Sequence, residues 1–326
     1  MAALYPLIFR PIFKQRVWGN RNLERLYGKQ LPPNEPIGES WEISDRPGDV
    51  SVVANGPLAG KDLHWLVEHH RAELLGPASL QNGRFPLLIK LLDAQEKLSL
   101  QVHPPAQKAV ALGGEPKTEM WYIADATPGA ELYVGLKGGV TREQFEQKIK
   151  DGSVADCFHR IQVKTGDAMF LPSGRVHAIG AGLVIFEIQQ NSDTTYRVFD
   201  WNRVGLDGKP RELHVAESLE SIDFKDFEPS LVQSAFTGDS ALLRRVLVRD
   251  SLFKVEEIIL RADASLALTP RTMQIIACLS GGLRLTGQDV EVELSSGQFC
   301  LVPACLENVA TRALTAASFL RTEAGS

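Results

Sequence analysis

Two histidines, a glutamate and a glutamine on three separate segments have the makings of a metal site. Gln101-Val-His103 alternates, and the two-residue period of a strand puts Gln101 and His103 on one face. Lys117-Thr-Glu119 repeats the alternation one segment later, and His177 follows Pro172 and Gly174 on a third. Two imidazoles and a carboxylate are a common ligand set for Zn(II) or another divalent ion, with positions left open for substrate. Gln101 would add an amide oxygen, an unusual ligand. Each residue alone is an ordinary polar strand residue; the same-face spacing recurring on separate segments is what points to a metal.

A second constellation follows. Glu187 lies in Ile185-Phe-Glu-Ile-Gln-Gln190 and Arg197 in Thr194-Thr-Tyr-Arg-Val-Phe-Asp200. Phe186 and Ile188 should point away from the Glu187 face, which carries Ile185 and Gln189. In such a half-polar interior Glu187 is either a satisfied buried carboxylate or a base with a tuned pKa. Arg197 is a solvated or salt-bridged residue unless a divalent ion and a lysine stand nearby, in which case it becomes an anion clamp. Lys90 interrupts the apolar run Leu87–Leu92 and points inward, where it needs an anionic partner. Ser99 shares the parity of Gln101 and His103, and a hydroxyl with an ammonium can hold a phosphate. Lys97 reads as a loop residue. His69 and His70 are adjacent on a predicted helix and cannot share a face. No phosphate-loop, dinucleotide or nucleophile-elbow motif is present in the sequence.

The elements that must position these residues are mostly strands. Glu39–Ser44, Gly48–Asn55, Leu87–Asp93, Lys97–Val102, Glu119–Ala124, Ala130–Gly135, Asp167–Leu171, Leu183–Gln190 and Tyr196–Phe199 are short, β-branched or aromatic, and bounded by turn residues. Phe253–Leu260, Met273–Ser280, Gly282–Leu285, Val290–Leu294, Phe299–Val302 and Ala317–Arg321 continue the style. Many short strands without β-α-β alternation argue a sandwich or barrel. Helices are expected at Lys61–Leu75, Ala106–Leu112, Thr141–Asp151 (capped by Thr141) and Arg211–Ser221. Ser221–Pro229 reads as a linker, which divides the chain into residues 1–229 and 230–326. The second part contains an echo of the first. Gly166 and Pro172 are spaced as Gly297 and Pro303 are, and the slots of Gly174 and His177 hold Cys305 and Asn308. The second β unit is therefore expected to carry no metal site.

Composition narrows the partners. The 326 residues are 44% hydrophobic and 23% charged, with a formal charge of -5. That is ordinary globular composition, and no Lys/Arg-rich block marks a nucleic-acid protein. No apolar stretch approaches the ~20 residues of a spanning helix. With no leader-like N-terminus and four cysteines lacking a CxxC pair, the expectation is a cytoplasmic protein with free thiols.

Five blocks resemble one family. They are Pro86-Leu-Leu-Ile-Lys-Leu-Leu-Asp93, Leu98-Ser-Leu-Gln-Val-His-Pro104, Lys117-Thr-Glu-Met-Trp-Tyr122, Pro172-Ser-Gly-Arg-Val-His-Ala178 and Phe186-Glu-Ile-Gln-Gln-Asn-Ser-Asp-Thr-Thr-Tyr-Arg197, with Gly38-Glu-Ser-Trp-Glu42 ahead of them. Their order and content resemble the type I mannose-6-phosphate isomerases in their short, bacterial-like form. The likeness is strong over Pro6–Glu217 and general beyond Pro229. It implies a mainly β chain of two cupin (jelly-roll β-barrel) units with short helical inserts. It implies one Zn(II) per chain held by Gln101, His103, Glu119 and His177, and an active site that includes Lys117, Glu187 and Arg197. The implied reaction interconverts mannose 6-phosphate and fructose 6-phosphate through an enediolate, the ion acting as a Lewis acid. Glu187 is the expected proton shuttle, with Lys117 its rival; Arg197 would hold a substrate oxygen or the phosphate, with Ser99 and Lys90 as weaker phosphate candidates. A sister isomerase acting on another sugar, and a sugar-sensing bicupin without turnover, are the alternatives. The small-molecule partner in each case is a sugar or sugar phosphate.

Overall fold

All eight residues of the strand Leu183–Gln190 are buried, and their alternation sets the layering of the molecule. Val184, Phe186 and Ile188 enter one core, whereas Leu183 and Ile185 enter another. A strand covered on both faces reads in sequence as a nearly unbroken apolar run. Leu87–Ala94 behaves the same way: Ile89 and Leu91 go to the first core, Leu92 and Ala94 to the second.

The computed structural model describes residues 3–325. The first large sheet is antiparallel throughout, in the order Ile12–Asn20, Ile37–Ile43, Leu87–Ala94, Leu183–Gln190, Glu119–Ala126, Ala168–Leu171. Facing it is a five-stranded sheet in the order Tyr196–Phe199, Leu100–Val102, His177–Ile179, Glu131–Leu136, Phe158–Gln162. Residues 237–324 repeat the plan with sheets of six and four strands. Each unit is thus a jelly-roll pair of facing sheets, as expected, and not one closed hydrogen-bonded cylinder.

The two large sheets share an apolar core. Phe186 meets Phe299 with ring centroids 5.5 Å apart, and the Tyr122 hydroxyl donates to Glu257 Oε1 at 3.0 Å. Arg245 reaches the Gly166 carbonyl at 2.6 Å. The echo between units is visible in the backbone. Gly166 N–H donates to the Ile123 carbonyl at 2.9 Å and Gly297 N–H to the Cys278 carbonyl at 2.8 Å. Both glycines have positive φ, 92° and 76°, a conformation that Cβ opposes.

Several elements differ from expectation. Ile12–Asn20 is a strand although Lys14, Gln15 and Arg16 interrupt its apolar pattern; it is a half-exposed edge with register shifts. The expected strand Gly48–Asn55 forms a ladder only at Asp49–Val50, where the turn at Pro47-Gly48 folds it back on Asp45–Arg46; beyond it, single bridges tie Val52 to Asp62 and Val53 to Phe9. The helix expected from Arg211 starts at Val215, because Arg211 is drawn to Asp200, Nε to Oδ2 2.7 Å. Ser221–Pro229 is strapped down: Arg175 grips Asp226 through two 2.8 Å bonds, and Leu136 N–H donates to the Asp226 carbonyl. Thr141 caps its helix as expected, in a reciprocal box with Gln144.

Candidate metal centre and cavity

The site lies between the two sheets of the first unit. On the five-stranded side, Leu100, Val102, Ala178, Tyr196 and Val198 pack outward, so Gln101, His177 and Arg197 project inward. They are register partners in one row: Arg197 opposite Gln101, Gln101 opposite His177. His103 stands just past the end of its strand and is 1% exposed. From the large sheet, Glu119 starts its strand with the parity of Trp121 and Ile123, which face the interior core.

These placements bring His103, Glu119 and His177 together, their ligand atoms within 4.8 Å of one another. His177 Nε2 is 3.2 Å and His103 Nε2 3.6 Å from Glu119 Oε1. Both Glu119 oxygens and both His103 nitrogens are buried without a hydrogen-bond partner. Leaving such groups unpaired is costly, and a cation among them removes the cost. His177 Nδ1–H donates to the Arg175 carbonyl at 2.9 Å, the arrangement in which Nε2, 3.2 Å from Glu119, is the nitrogen that would ligate. Gln101 Nε2 is 3.2 Å from His177 Nε2, and a half-turn of the amide offers Oε1 at the same place. Burial pushes His103 down to about 3, helped by the Lys117 ammonium, so it is neutral, the ligating form. Burial pushes Glu119 up, but Lys117 and the imidazoles outweigh it and hold the carboxyl well below its usual range. The donor set therefore fits a divalent metal ion.

Above this group opens a cavity of about 550 Å³. Lys90, Ser99, Gln101, Lys117, Glu187 and Arg197 all line it, so every expected site residue lies in the cavity wall or the ligand group beneath. Glu187 accepts the Trp121 indole N–H at 2.9 Å through Oε1 and faces Lys90 Nζ at 3.2 Å through Oε2. Burial raises the Glu187 pKa; the Glu119 charge adds to this, and Lys90, Lys117 and the indole oppose it without cancelling it. Lys117 Nζ lies 3.5 Å from Glu119 Oε2. Arg197 differs from the other cations of the wall: among the described residues no carboxylate lies within ion-pair distance of it. Its Nε is buried and unpartnered, and Nη1 donates only to the Glu212 carbonyl at 2.8 Å.

Arg16, Glu39, Asp193 and Arg211 also line the cavity, none of them a candidate from sequence. Arg16 sits on the unrecognised edge strand. Glu39 lies inside the Gly38–Glu42 motif, and its two-residue spacing from Trp41 is the signal that could have found it.

Paired jelly-roll sheets and a buried ligand group under a charged cavity define a cupin-type protein with a site fit for a metal ion. Residues 7–122 match the model of the phosphomannose isomerase type I catalytic domain. Mannose-6-phosphate isomerase ManA of Bacillus subtilis is 38% identical over 301 residues, 91% of this chain and 93% of that protein. The mannose-6-phosphate isomerase of Streptococcus mutans is 35% identical over 304 residues, 93% of this chain and 94% of its own. The crystal structure of mannose 6-phosphate isomerase from Bacillus subtilis matches with a TM-score of 0.88 at 31% identity, over 98% of this chain and 99% of that one. The chain belongs to the type I mannose-6-phosphate isomerase family and is an enzyme of that isomerase class.

Proposed function

We propose that this chain interconverts mannose 6-phosphate and fructose 6-phosphate, using one Zn(II) held by Gln101, His103, Glu119 and His177. The observation that carries the reading is the unpartnered His103/Glu119 pair lying beneath a cavity that bears a carboxylate on one wall and an unpaired guanidinium on the other. When bound, the ion supplies Lewis-acid stabilisation of negative charge developing on a substrate oxygen.

The chain's own residues do the rest. Glu187 takes the C2 proton of the open-chain aldose. The C2–H electron pair becomes the C1–C2 double bond of an enediolate. As O2 gives up its proton and O1 gains one, Glu187 returns its proton to C1 and the ketose results. A carboxylate with a raised pKa suits this shuttle, since it must both accept and release. Lys117, beside the ligand group, is placed to stabilise the sugar oxygens. Arg197 is the cation free to take the phosphate, with Ser99 in the same cavity wall. A phosphorylated hexose as substrate fits a cytoplasmic enzyme, and no helix among the described residues is long and apolar enough to cross a membrane. The test is turnover of mannose 6-phosphate by the zinc-loaded protein, its loss with a chelator and its return with zinc. A zinc-loaded protein that turns over no hexose phosphate would overturn the reading.

A further inference from the structure

One row of residues crosses the large sheet beneath the cavity. Trp41, Lys90, Glu187 and Trp121 are successive register partners on four neighbouring strands. Glu39 lies two residues before Trp41 and so on the same face. The two carboxylates are built alike, because each accepts one indole N–H. Trp41 donates to Glu39 Oε2 at 2.6 Å, and Trp121 donates to Glu187 Oε1 at 2.9 Å. Lys90 stands between them, its Nζ 3.2 Å from Glu187 Oε2 and 3.9 Å from Glu39 Oε2. Arg16 closes the far end, Nε to Glu39 Oε1 at 2.7 Å. The row therefore runs cation, anion, cation, anion.

The Lys90 side chain is 4% exposed. Drawing its ammonium away to a phosphate would strand the buried Glu187 without its ion pair and leave Glu39 to Arg16 alone. We propose that Lys90 and Glu39 are positioning residues for Glu187: they share one buried ammonium, and the share Glu39 takes sets how firmly Lys90 grips Glu187 Oε2. This rests on the reading of Glu187 as the proton shuttle. A full grip would make Glu187 a weak base, and no grip would leave it protonated and free to turn. The other groups acting on Glu187 are Glu119 and Trp121 from the neighbouring strand and Lys117 just ahead of it, while Arg197 from the opposite layer and Asp193 beyond its own strand line the same cavity. Of these cations and those of the row, only Lys90 is within ion-pair distance of both carboxylates among the described residues.

The zinc-loaded enzyme, its metal content checked, is compared with Lys90→Met, Glu39→Gln and the double variant. Lys90→Met should lower kcat roughly 10- to 100-fold with little change in KM, and the acid midpoint of kcat should move up by about one pH unit or more. Glu39→Gln should move that midpoint down, because the ammonium then serves Glu187 alone. In the double variant the Glu39 effect should shrink, since it acts through Lys90. A role in stability alone would change the folded fraction and leave both midpoints in place. Carbon-13 NMR of labelled glutamate, with Glu187→Gln to assign the resonance, follows the same shifts without turnover. If the wild type turns over no sugar phosphate, the isomerase reading falls and the NMR titration still decides the positioning. If Lys90→Met does not fold, the downward shift in Glu39→Gln decides it. Midpoints that stay put or move together would overturn the proposal. So would a Lys90→Met enzyme with unchanged kcat and a KM raised tenfold or more, the signature of a phosphate ligand.

Discussion

Gln101 and His177 face each other in register across two neighbouring strands, with side-chain nitrogens 3.2 Å apart. Arg197 is the register partner of Gln101 on its other side. One row of the smaller sheet thus carries two of the proposed ligand residues and the unpaired cation. The row of the large sheet opposite carries Lys90, Glu187 and Trp121. Two rows of register partners thus face each other across the sandwich, and backbone pairing fixes the spacing within each row.

The ligand group makes metal content a direct readout. His103→Ala or His177→Ala should abolish stoichiometric metal, since either leaves Glu119 with one imidazole. The second unit, with Asn308 in the slot of His177, should bind none. Elemental analysis of the wild type should give one ion per chain. A tightly bound ion in either variant, or two in the wild type, would move the site elsewhere.

Glu187→Gln separates chemistry from binding. The variant keeps the size of the side chain and removes the basic oxygen. Metal content and KM should hold while kcat falls roughly 10²–10⁴-fold, and exchange of solvent hydrogen into C2 should fall in parallel. The pH profile carries a sign as well. The shuttle works only when ionised, and burial raises its pKa, so wild-type kcat should decline on the acid side at a higher pH than an ordinary carboxylate would give. Near-normal turnover by Glu187→Gln would pass the role to Lys117.

Much of this was legible before any coordinates. The two-residue period was enough to put Gln101 with His103 and to set Glu187 apart from Phe186 and Ile188, because a strand allows only two directions. The Gly–Pro echo read as a repeated unit for the same reason: a left-handed glycine turn before an edge strand constrains its residue type. What stayed hidden depended on partners. Ile12–Asn20 is a strand because an edge tolerates charge, and no local pattern announces Arg16. Arg211 leaves its expected helix because Asp200, eleven residues earlier, outcompetes one turn of helix. Lys90 could be called inward and in need of an anion, but the sequence did not say that Glu39 and Glu187 both supply one.

Arg197→Gln tests the phosphate assignment. Charged hydrogen bonds of this kind are worth ~1.5–3 kcal/mol, so KM for mannose 6-phosphate should rise roughly 10- to 100-fold. Inhibition by inorganic phosphate should weaken by a similar factor, while binding of unphosphorylated mannose should change little. An equal loss for phosphorylated and free sugar would assign Arg197 to a sugar oxygen instead.

Glu39 supplies a test on stability. Burial pushes its pKa up, but Lys90, Arg16 and the Trp41 indole outweigh this and hold it at about 2, below an ordinary 4.5. A carboxyl with a depressed folded-state pKa contributes stability that is fully present above its unfolded pKa and lost as pH falls toward the folded one. The size of that contribution is about 3 kcal/mol by the usual conversion of pKa shifts. Glu187 acts with the opposite sign, because its raised pKa costs stability that acidification restores, and it does so at higher pH. Urea unfolding of metal-free wild type and metal-free Glu39→Gln is compared below pH 4.5, where Glu39 itself titrates and the coupled Glu187, whose raised pKa lies higher, contributes least. The wild type should be the more stable at pH 6, and its advantage should shrink steadily between pH 4.5 and pH 3. A gap that stays constant over that interval would show that Glu39 is not held ionised by Lys90 and Arg16.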